Sequence, residues 1–384
     1  MGLYVVVFCG LLLILVSAIH QWKLLLLLAF LFIVTAGTLL WYSNFEREKR
    51  RGNALPEKEI ETVRIFYGSE KRGLLKDPQF QEILRKKHGV VINGDRTDGL
   101  EMPEDLEEID AFWPSNGLVA SLFKKQFPDV SYEMNNIFST PVVLYSWPNI
   151  TEALIKAGVV EKRKKLYIIS DMKKLLEMRK QTWESLRLIR QTGPVVIQSA
   201  DPSKSSPGLL MAVLTVVSLN NGKMAKASEI DKYKPDIIEI YKYMGALKSS
   251  SDILFNRYIR QGQGTFPLIS ACENQLIEFY QTSPDYQEKI RNQIRMLIPE
   301  PTVLNEHPLI ALTEKGKMLL EALGDPDIRK LAWRKHGFRS GESDIDDPLI
   351  LEGVSLPEQI APLIPLPSPE IAEDILSASD SKSS

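Results

Sequence analysis

Between Thr62 and Arg339 the chain alternates short apolar runs with stretches of helical spacing, and the apolar runs end in small polar residues. That alternation restricts the fold more than any other feature. Thr62-Val-Arg-Ile-Phe-Tyr67 alternates in polarity and stops at Gly68-Ser69, as a strand and its turn do. Leu74 to His88 has helical spacing, and Gly89 ends it. Val90-Val-Ile92 and Ile109-Asp-Ala-Phe-Trp113 predict two more strands. Pro114-Ser-Asn-Gly117 then opens a helix that runs to about Gln126. This order implies an open, mostly parallel α/β sheet with helices on both faces. Ligands in such sheets bind outside the carboxyl ends of the strands. Gly68-Ser69 and Trp113-Pro-Ser-Asn116 stand at such ends.

A second α/β unit comes next. Phe138 to Ser146 predicts a long strand, and a helix continues to about Ala157 with Asn149 as its candidate cap. Lys162-Arg-Lys-Lys165 reads as a solvated basic face. Met172 to Leu188 reads as a helix with Trp183 on its buried side, and Gly193-Pro-Val-Val-Ile197 as a buried strand. Asp201-Pro-Ser-Lys-Ser-Ser-Pro-Gly208 then leads into an apolar helix, Leu209 to Ser218. Ser206 suits its N-cap, and Pro207 suits the first helical position, where no amide donor is needed. Free N–H groups at a helix opening can hold an anion. The same serines can also do no more than cap. Further helices are expected over 233–244, 249–261, 308–323 and 325–336, with strands over 265–270 and 294–298. Cys272-Glu-Asn-Gln275 opens a helix to Tyr280.

The N-terminus has a different composition. Two apolar runs, about 3–19 and 24–42, are separated only by His20-Gln-Trp-Lys23. Each is long enough, or nearly so, to span a bilayer, with Trp22, Trp41 and Tyr42 at the ends where amphipathic rings prefer the interface. Residues 1–45 therefore predict a two-helix transmembrane hairpin, and 46–60 a linker. Arg47, Lys49, Arg50 and Arg51 favour a cytoplasmic soluble domain by the positive-inside rule. At the other end, 340–384 is rich in Asp, Glu, Pro and Ser, and reads as an acidic disordered tail. The formal net charge of −2 gives no sign of a nucleic-acid partner. The two cysteines, Cys9 and Cys272, offer no disulfide framework. The four histidines (His20, His88, His307, His336) show no metal-ligand spacing, so no cofactor or metal is expected. His307 and His336 each fall at an expected helix boundary. No Gly-x-Ser-x-Gly elbow occurs, and no nucleophile can be paired with a base, so the chain does not read as an enzyme.

Eight stretches in order carry a family resemblance. They are Tyr67-Gly-Ser-Glu70, Asp110-Ala-Phe-Trp-Pro-Ser-Asn116, Ser139-Thr-Pro-Val-Val-Leu144, Thr182-Trp-Glu-Ser-Leu186, Asp201 to Gly208, Glu273-Asn-Gln275, His307-Pro-Leu309 and His336-Gly-Phe-Arg339. Together they resemble bacterial extracellular solute-binding proteins of the periplasmic type II class, on the side of the oxyanion-binding members. The resemblance implies two α/β lobes joined by crossing strands, Ser139 to Ser146 outward and Leu297 to Leu304 in return. Lobe one is then 61–142 with 300–339, and lobe two 143–299. It also implies a small ligand, in this case an anion, held in the inter-lobe cleft by hydroxyls and helix N-termini. The matching positions are Ser69, Ser115, Asn116, Thr140, Ser205 and Ser206, with Trp113 able to stack on an organic ligand and Glu273 at the next turn. Pro207 stands where the family often has a second serine. Glu70 and Glu273 would oppose an anion, and Lys71 and Arg72 could offset them.

The function implied is a membrane-anchored solute-binding module, related to those of ABC transporters, that passes its solute or its occupancy to a membrane partner. A ligand-free interaction or scaffold protein on the same fold is the alternative. The resemblance places the soluble domain outside the cytoplasm, against the charge bias at 47–51. The extracytoplasmic side is the expectation, with the cytoplasmic face still open.

Overall fold

The computed structural model describes residues 59–340 apart from 98, 189 and 190, residues 351–379 apart from 352, 353 and 361, and isolated positions between 10 and 42. The expected membrane hairpin, 1–45, lies almost wholly outside the described residues. Among those described, no helix is long and apolar enough to cross a membrane. Residues 1–58 and 59–384 form separate compact units, and the second holds all the elements named below.

In chain order that unit contains β1 (Glu61–Gly68), a 3₁₀ turn at Ser69–Lys71, α1 (Arg72–Lys76), α2 (Pro78–Ile83), a π-turn at Leu84–His88, β2 (Val90–Thr97), β3 (Ala111–Trp113), α3 (Gly117–Gln126) and β4 (Glu133–Ser146). Then come α4 (Pro148–Lys156), β5 (Val160–Arg163), β6 (Leu166–Ile169), α5 (Met172–Glu177), α6 (Ser206–Leu219), α7 (Lys234–Met244) and α8 (Ser251–Gln261). The remainder is β7 (Leu268–Cys272), α9 (Glu273–Thr282), α10 (Gln287–Gln293), β8 (Arg295–Pro299), β9 (Thr302–Ala311), α11 (Glu314–Ala322), α12 (Pro326–His336), β10 (Leu363–Ile364) and α13 (Pro369–Ser379).

The first lobe is the sheet β2-β1-β3-β9-β4, in which β1 is parallel to both β2 and β3. β1 buries Val63 and Ile65 on one face, as a period of two requires. Asp77 caps α2 through Oδ1, which accepts from Gln79 N at 2.8 Å, and Pro78 takes the first helical position. Pro78 also divides the single helix expected over 74–88. Gly89, at φ 67°, closes the π-turn in the left-handed region, in agreement with its expected role as a stop.

β4 is the axis of the molecule. Its first part pairs antiparallel with β9, from Glu133↔Ala311 to Pro141↔Leu304. Its last part, Val142 to Ser146, leaves that sheet and enters the second, between β7 and β8. The second sheet continues through β6, parallel to β8, to the edge strand β5. One strand thus runs through both lobes, and β9 returns beside it. Phe138 to Ser146 is buried on both faces, in agreement with its reading as a long strand. α6 is buried along almost its whole length and forms the centre of the second lobe.

Several expectations need correction. Gly193 to Ile197 is not a strand. The chain there meets β7 only at the bridge Gln198↔Ile269. Lys162 to Lys165 is exposed, in agreement with its reading as a solvated basic face; Lys162 and Arg163 end β5, and Lys164, at φ 57°, and Lys165 form the turn into β6. α4 is capped at Trp147 and not at Asn149. The helix expected over 308–323 is two elements, because Pro308 to Ala311 completes β9 and Thr313 then caps α11.

The largest correction concerns the acidic C-terminal stretch. Its composition predicts disorder, yet β10 pairs with β9 at Thr302 and Val303, and α13 is a helix of 11 residues. Ile364, Ile371 and Ile375 join the core of the second lobe. Ala372 packs with Leu118 of α3 and Leu209 of α6. Lys125 of α3 pairs with Glu370 at 3.0 Å, and Lys234 of α7 with Asp374 at 3.1 Å. The segment is therefore a strap attached to both lobes. Its acids find cations on the helices it crosses, and its isoleucines bury apolar area.

A buried cluster on the first lobe sets an acid limit. Asp77 Oδ2 meets Lys335 Nζ at 2.5 Å and His336 Nε2 at 3.1 Å. Burial works to raise its pKa, but the hydrogen bonds from Lys335, Gln79 N–H and His336, with the Lys335 charge, outweigh it and hold Asp77 below the ordinary value. The stability this gives is present above an unfolded aspartate pKa of about 3.9 and is lost as pH falls through the lower folded value. Asp77→Asn should lie about 2 kcal/mol below wild type at pH 6, and the gap should narrow as pH falls below about 4, as measured by urea unfolding.

Candidate functional site

Four chain openings meet between the lobes. They are the Ser69–Lys71 turn after β1, the start of α3, the start of α6 and the start of α9. Each comes after a strand or extended segment, which brings backbone N–H groups and small polar side chains to the same place. The candidate ligand residues predicted from the sequence lie here.

Most of these residues are used by the protein itself. Asn116 caps α3, its Oδ1 accepting from Val119 N at 2.9 Å. Its Nδ2 donates to Ser206 Oγ at 2.7 Å, and Ser206 Oγ donates to Asn305 Oδ1 at 3.0 Å. All three residues are buried, so a closed polar chain links α3, α6 and β9 across the lobes. Ser115 Oγ donates to Gly99 O at 2.6 Å. Ser205, not Ser206, caps α6, accepting from Gly208 N at 3.4 Å. Thr140 Oγ1 accepts from Asn274 N at 3.1 Å and so satisfies one free amide of α9. Glu273 is fully buried and makes a two-point pair with Arg339, at 2.6 Å to Nε and 2.8 Å to Nη2. Trp113 is a core residue whose Nε1 donates to His307 O at 3.1 Å. Of the eight, Ser69 alone lines the open cleft.

Two residues central to the site, Lys71 and His307, are not among the expected ligand positions. Lys71 is fully buried and has its Nζ 5.6 Å from the Trp113 ring centroid. It donates to Glu70 Oε1 and, at 2.8 Å, to Pro114 O. Burial lowers the Lys71 pKa and the Glu70 charge only partly restores it. Burial works to raise that of Glu70, but the Lys71 charge and the His307 contact outweigh it and hold Glu70 below its ordinary value. His307 is not at a helix boundary as expected; it is fully buried in β9. Burial and the Lys71 charge push its pKa down to about 4, against the pull of Glu70, so the ring is neutral at pH 7. His336 does end a helix, α12, where Nδ1 meets Glu278 at 2.8 Å. Cys272, the described cysteine, is a buried thiol whose pKa burial raises strongly.

Above this floor a cleft of ≈ 980 Å³ stays open between the lobes. Ser69, Arg72, Lys76 and Arg96 face it from the first lobe, and Ser203, Lys204 and Ser250 from the second. Its carboxylates are engaged. Asp252 accepts from Gln275 Nε2 at 2.6 Å, and Glu278 is held by His336. Arg72 and Lys76, one helical turn apart on α1, are exposed and have no ion pair or hydrogen bond among the described residues. The uncompensated charge at the cleft is therefore positive. Such a surface can attract and orient an anionic group.

No family model and no curated protein sequence matches the chain. Solved structures do. The apo ferric ion-binding protein A of Pasteurella haemolytica aligns with a TM-score of 0.55 at 11% identity, over 83% of this chain and 95% of its own. A Trichodesmium protein (IdiA, FutA) in complex with iron and citrate ligands gives 0.53 at 10% identity, over 83% and 98%. A periplasmic thiamin-binding protein gives 0.53 at 10% identity, over 85% and 97%. Identities this low speak to fold and not to ligand. The chain thus has the two-lobed mixed α/β fold of periplasmic substrate-binding proteins.

Proposed function

We propose that the protein is a solute-binding module that takes a small anionic solute in the outer part of the inter-lobe cleft. One observation carries this reading: Arg72 and Lys76 are unpaired among the described residues, at a cleft whose carboxylates are already engaged. Ser69 stands at the same wall as a neutral donor. The fold supports a cleft that closes on its contents, since hinged lobes convert ligand contact into a change of shape. The three solved structures are named for ferric ion, iron with citrate, and thiamin, so the fold is compatible with several ligand chemistries.

In the same proposal the lobes are 61–142 with 300–339 and 143–299. The apolar segments in 1–45 anchor the module to a membrane, with the lobes on the extracytoplasmic side, where a membrane partner receives the solute or senses its binding. Thermal unfolding of the full-length chain against sulfate, phosphate, citrate and small dicarboxylates tests the cleft. At least one anion should raise Tm in a saturable way by about 3 °C or more, which binding well above Kd would give. Arg72→Ala with Lys76→Ala should abolish that shift.

A second reading has its own support. The buried chain Asn116–Ser206–Asn305 and the C-terminal strap both tie the lobes together. A scaffold that no longer opens would use the same ties. In that case a membrane partner captured by the wild-type chain would be captured equally by the Arg72→Ala, Lys76→Ala variant.

A further inference from the structure

The cleft floor holds a charge pair whose two members differ in burial. The Lys71 side chain is fully buried, while the Glu70 side chain keeps 16% of its surface exposed and lines the cleft. Lys71 is fixed by the Pro114 carbonyl and the Trp113 ring. Glu70 belongs to a turn of three residues, and its carboxylate folds back over Gly68. That arrangement depends on Gly68, because a β-carbon there would lie 2.6 Å from Glu70 Oε1 and 2.6 Å from Ser115 Cα. His307 provides a second, independent sign of a site. Its Nδ1 points at Glu70 Oε1 from 3.3 Å, yet neither ring nitrogen completes a hydrogen bond among the described residues, and the residue is fully buried. A buried cation, an unsatisfied imidazole and a small-residue cradle thus surround one carboxylate that reaches the floor from the open side.

We propose that this floor is a binding site for a small carboxylate or oxyanion, which Glu70 occupies as a built-in anion and which an incoming ligand takes over by displacing the Glu70 side chain into the cleft. The inference rests on the cleft being the solute site, and it adds the chemistry that reads the solute's acid group. Lys71 cannot leave the floor and must keep a counter-charge there, because an unpaired buried cation is costly. Glu70 can leave, since the cleft wall offers Arg72 and Lys76 to its carboxylate. The entering group would meet Lys71 Nζ and the free imidazole edge of His307.

Thermal unfolding of the full-length chain in detergent tests this, with sodium formate and sodium sulfate as probes and sodium chloride at matched ionic strength as control. Glu70→Ala should melt roughly 5–10 °C below wild type and recover at least half of that loss in a saturable way with formate. Adding Lys71→Met to Glu70→Ala should remove the formate response. Glu70→Gln keeps the shape, and it serves if Glu70→Ala does not fold. It should respond to formate or sulfate at about tenfold lower concentration than wild type. Equal responses to chloride and formate in either variant would overturn the proposal, as would a formate response that survives Lys71→Met. The outcome separates from the cleft reading. Formate rescue in a protein that also lacks Arg72 and Lys76, with no solute shift in wild type, would sink the outer-cleft reading alone. A solute shift without formate rescue would sink the displacement proposal alone.

Discussion

Arg339→Met should cost about 3–5 kcal/mol of unfolding free energy, a larger loss than any single exposed ion pair here would give. Arg339 is the joint of three parts. Its backbone bridges Ser139 of β4 in both directions, at 2.8 and 2.9 Å. Its guanidinium grips Glu273 at the start of α9, and Nη2 donates to Pro357 O at 2.8 Å on the strap. Removing it strands a fully buried carboxylate and orphans a buried carbonyl. Urea unfolding of the full-length chain measures the loss. Arg339→Met with Glu273→Met should recover a large part of it, because the penalty comes mainly from the charge left alone. A single variant within about 1 kcal/mol of wild type would mean that this junction relaxes or hydrates.

The second large effect concerns the strap. A stop after residue 350 removes Ile364, Ile371 and Ile375 from the second-lobe core, together with the β10–β9 pairing. Burying an isoleucine contributes roughly 1.5–3 kcal/mol, and ordering the strap offsets part of that sum. The truncated chain should lose about 3–5 kcal/mol, equivalent to a Tm lower by roughly 10 °C for a domain of this size. It also bares Leu118 and Leu209 at the contact with Ala372, so it should bind an apolar dye and be cleaved faster in the α3 and α6 regions. Scanning calorimetry with limited proteolysis would show this. A truncated protein that melts with the full chain would make the strap a passive covering.

Much of this architecture is legible in the residues alone. The strands β1, β3 and β4 stand out because their apolar runs are short and bounded by Gly68, Pro114 and Trp147-Pro148. The crossing through β4 agrees with its β-branched stretch being buried on both faces. Gly193 to Ile197 misleads because it has strand composition but only isolated bridges, Pro194↔Thr182 within it and Gln198↔Ile269 just after it, and pairing is a tertiary property. Pro308 to Leu312 misleads in the opposite sense, since an apolar run beside a helix gives no boundary until Thr313 is recognised as a cap. The strap is hidden by its acids. Ile371, Ala372, Ile375 and Ala378 nevertheless have helical spacing behind Pro369, and that periodicity is the available signal.

For the site, the sequence points to the right openings but not to their use. Asn116, Thr140 and Ser206 do face the inter-lobe seam, where their polar groups are spent on one another and on α9. Whether a hydroxyl meets a ligand or a neighbouring asparagine depends on the distance between segments far apart in the chain, which no local pattern encodes. The sequence offers Lys71 only as a possible offset, with Arg72, to the acids near the cleft. The burial of Lys71 comes from Trp113 and Pro114 closing over it.

The most direct test of anion binding in the cleft is isothermal titration of the full-length chain with the anion that gives the largest thermal shift, set beside the Arg72→Ala, Lys76→Ala variant. One saturable site is expected in the wild type and at least roughly tenfold weaker binding in the variant, whose melting temperature should remain near that of wild type. Equal affinity in the two proteins, or no binding heat from any anion with a folded wild-type protein, would contradict it.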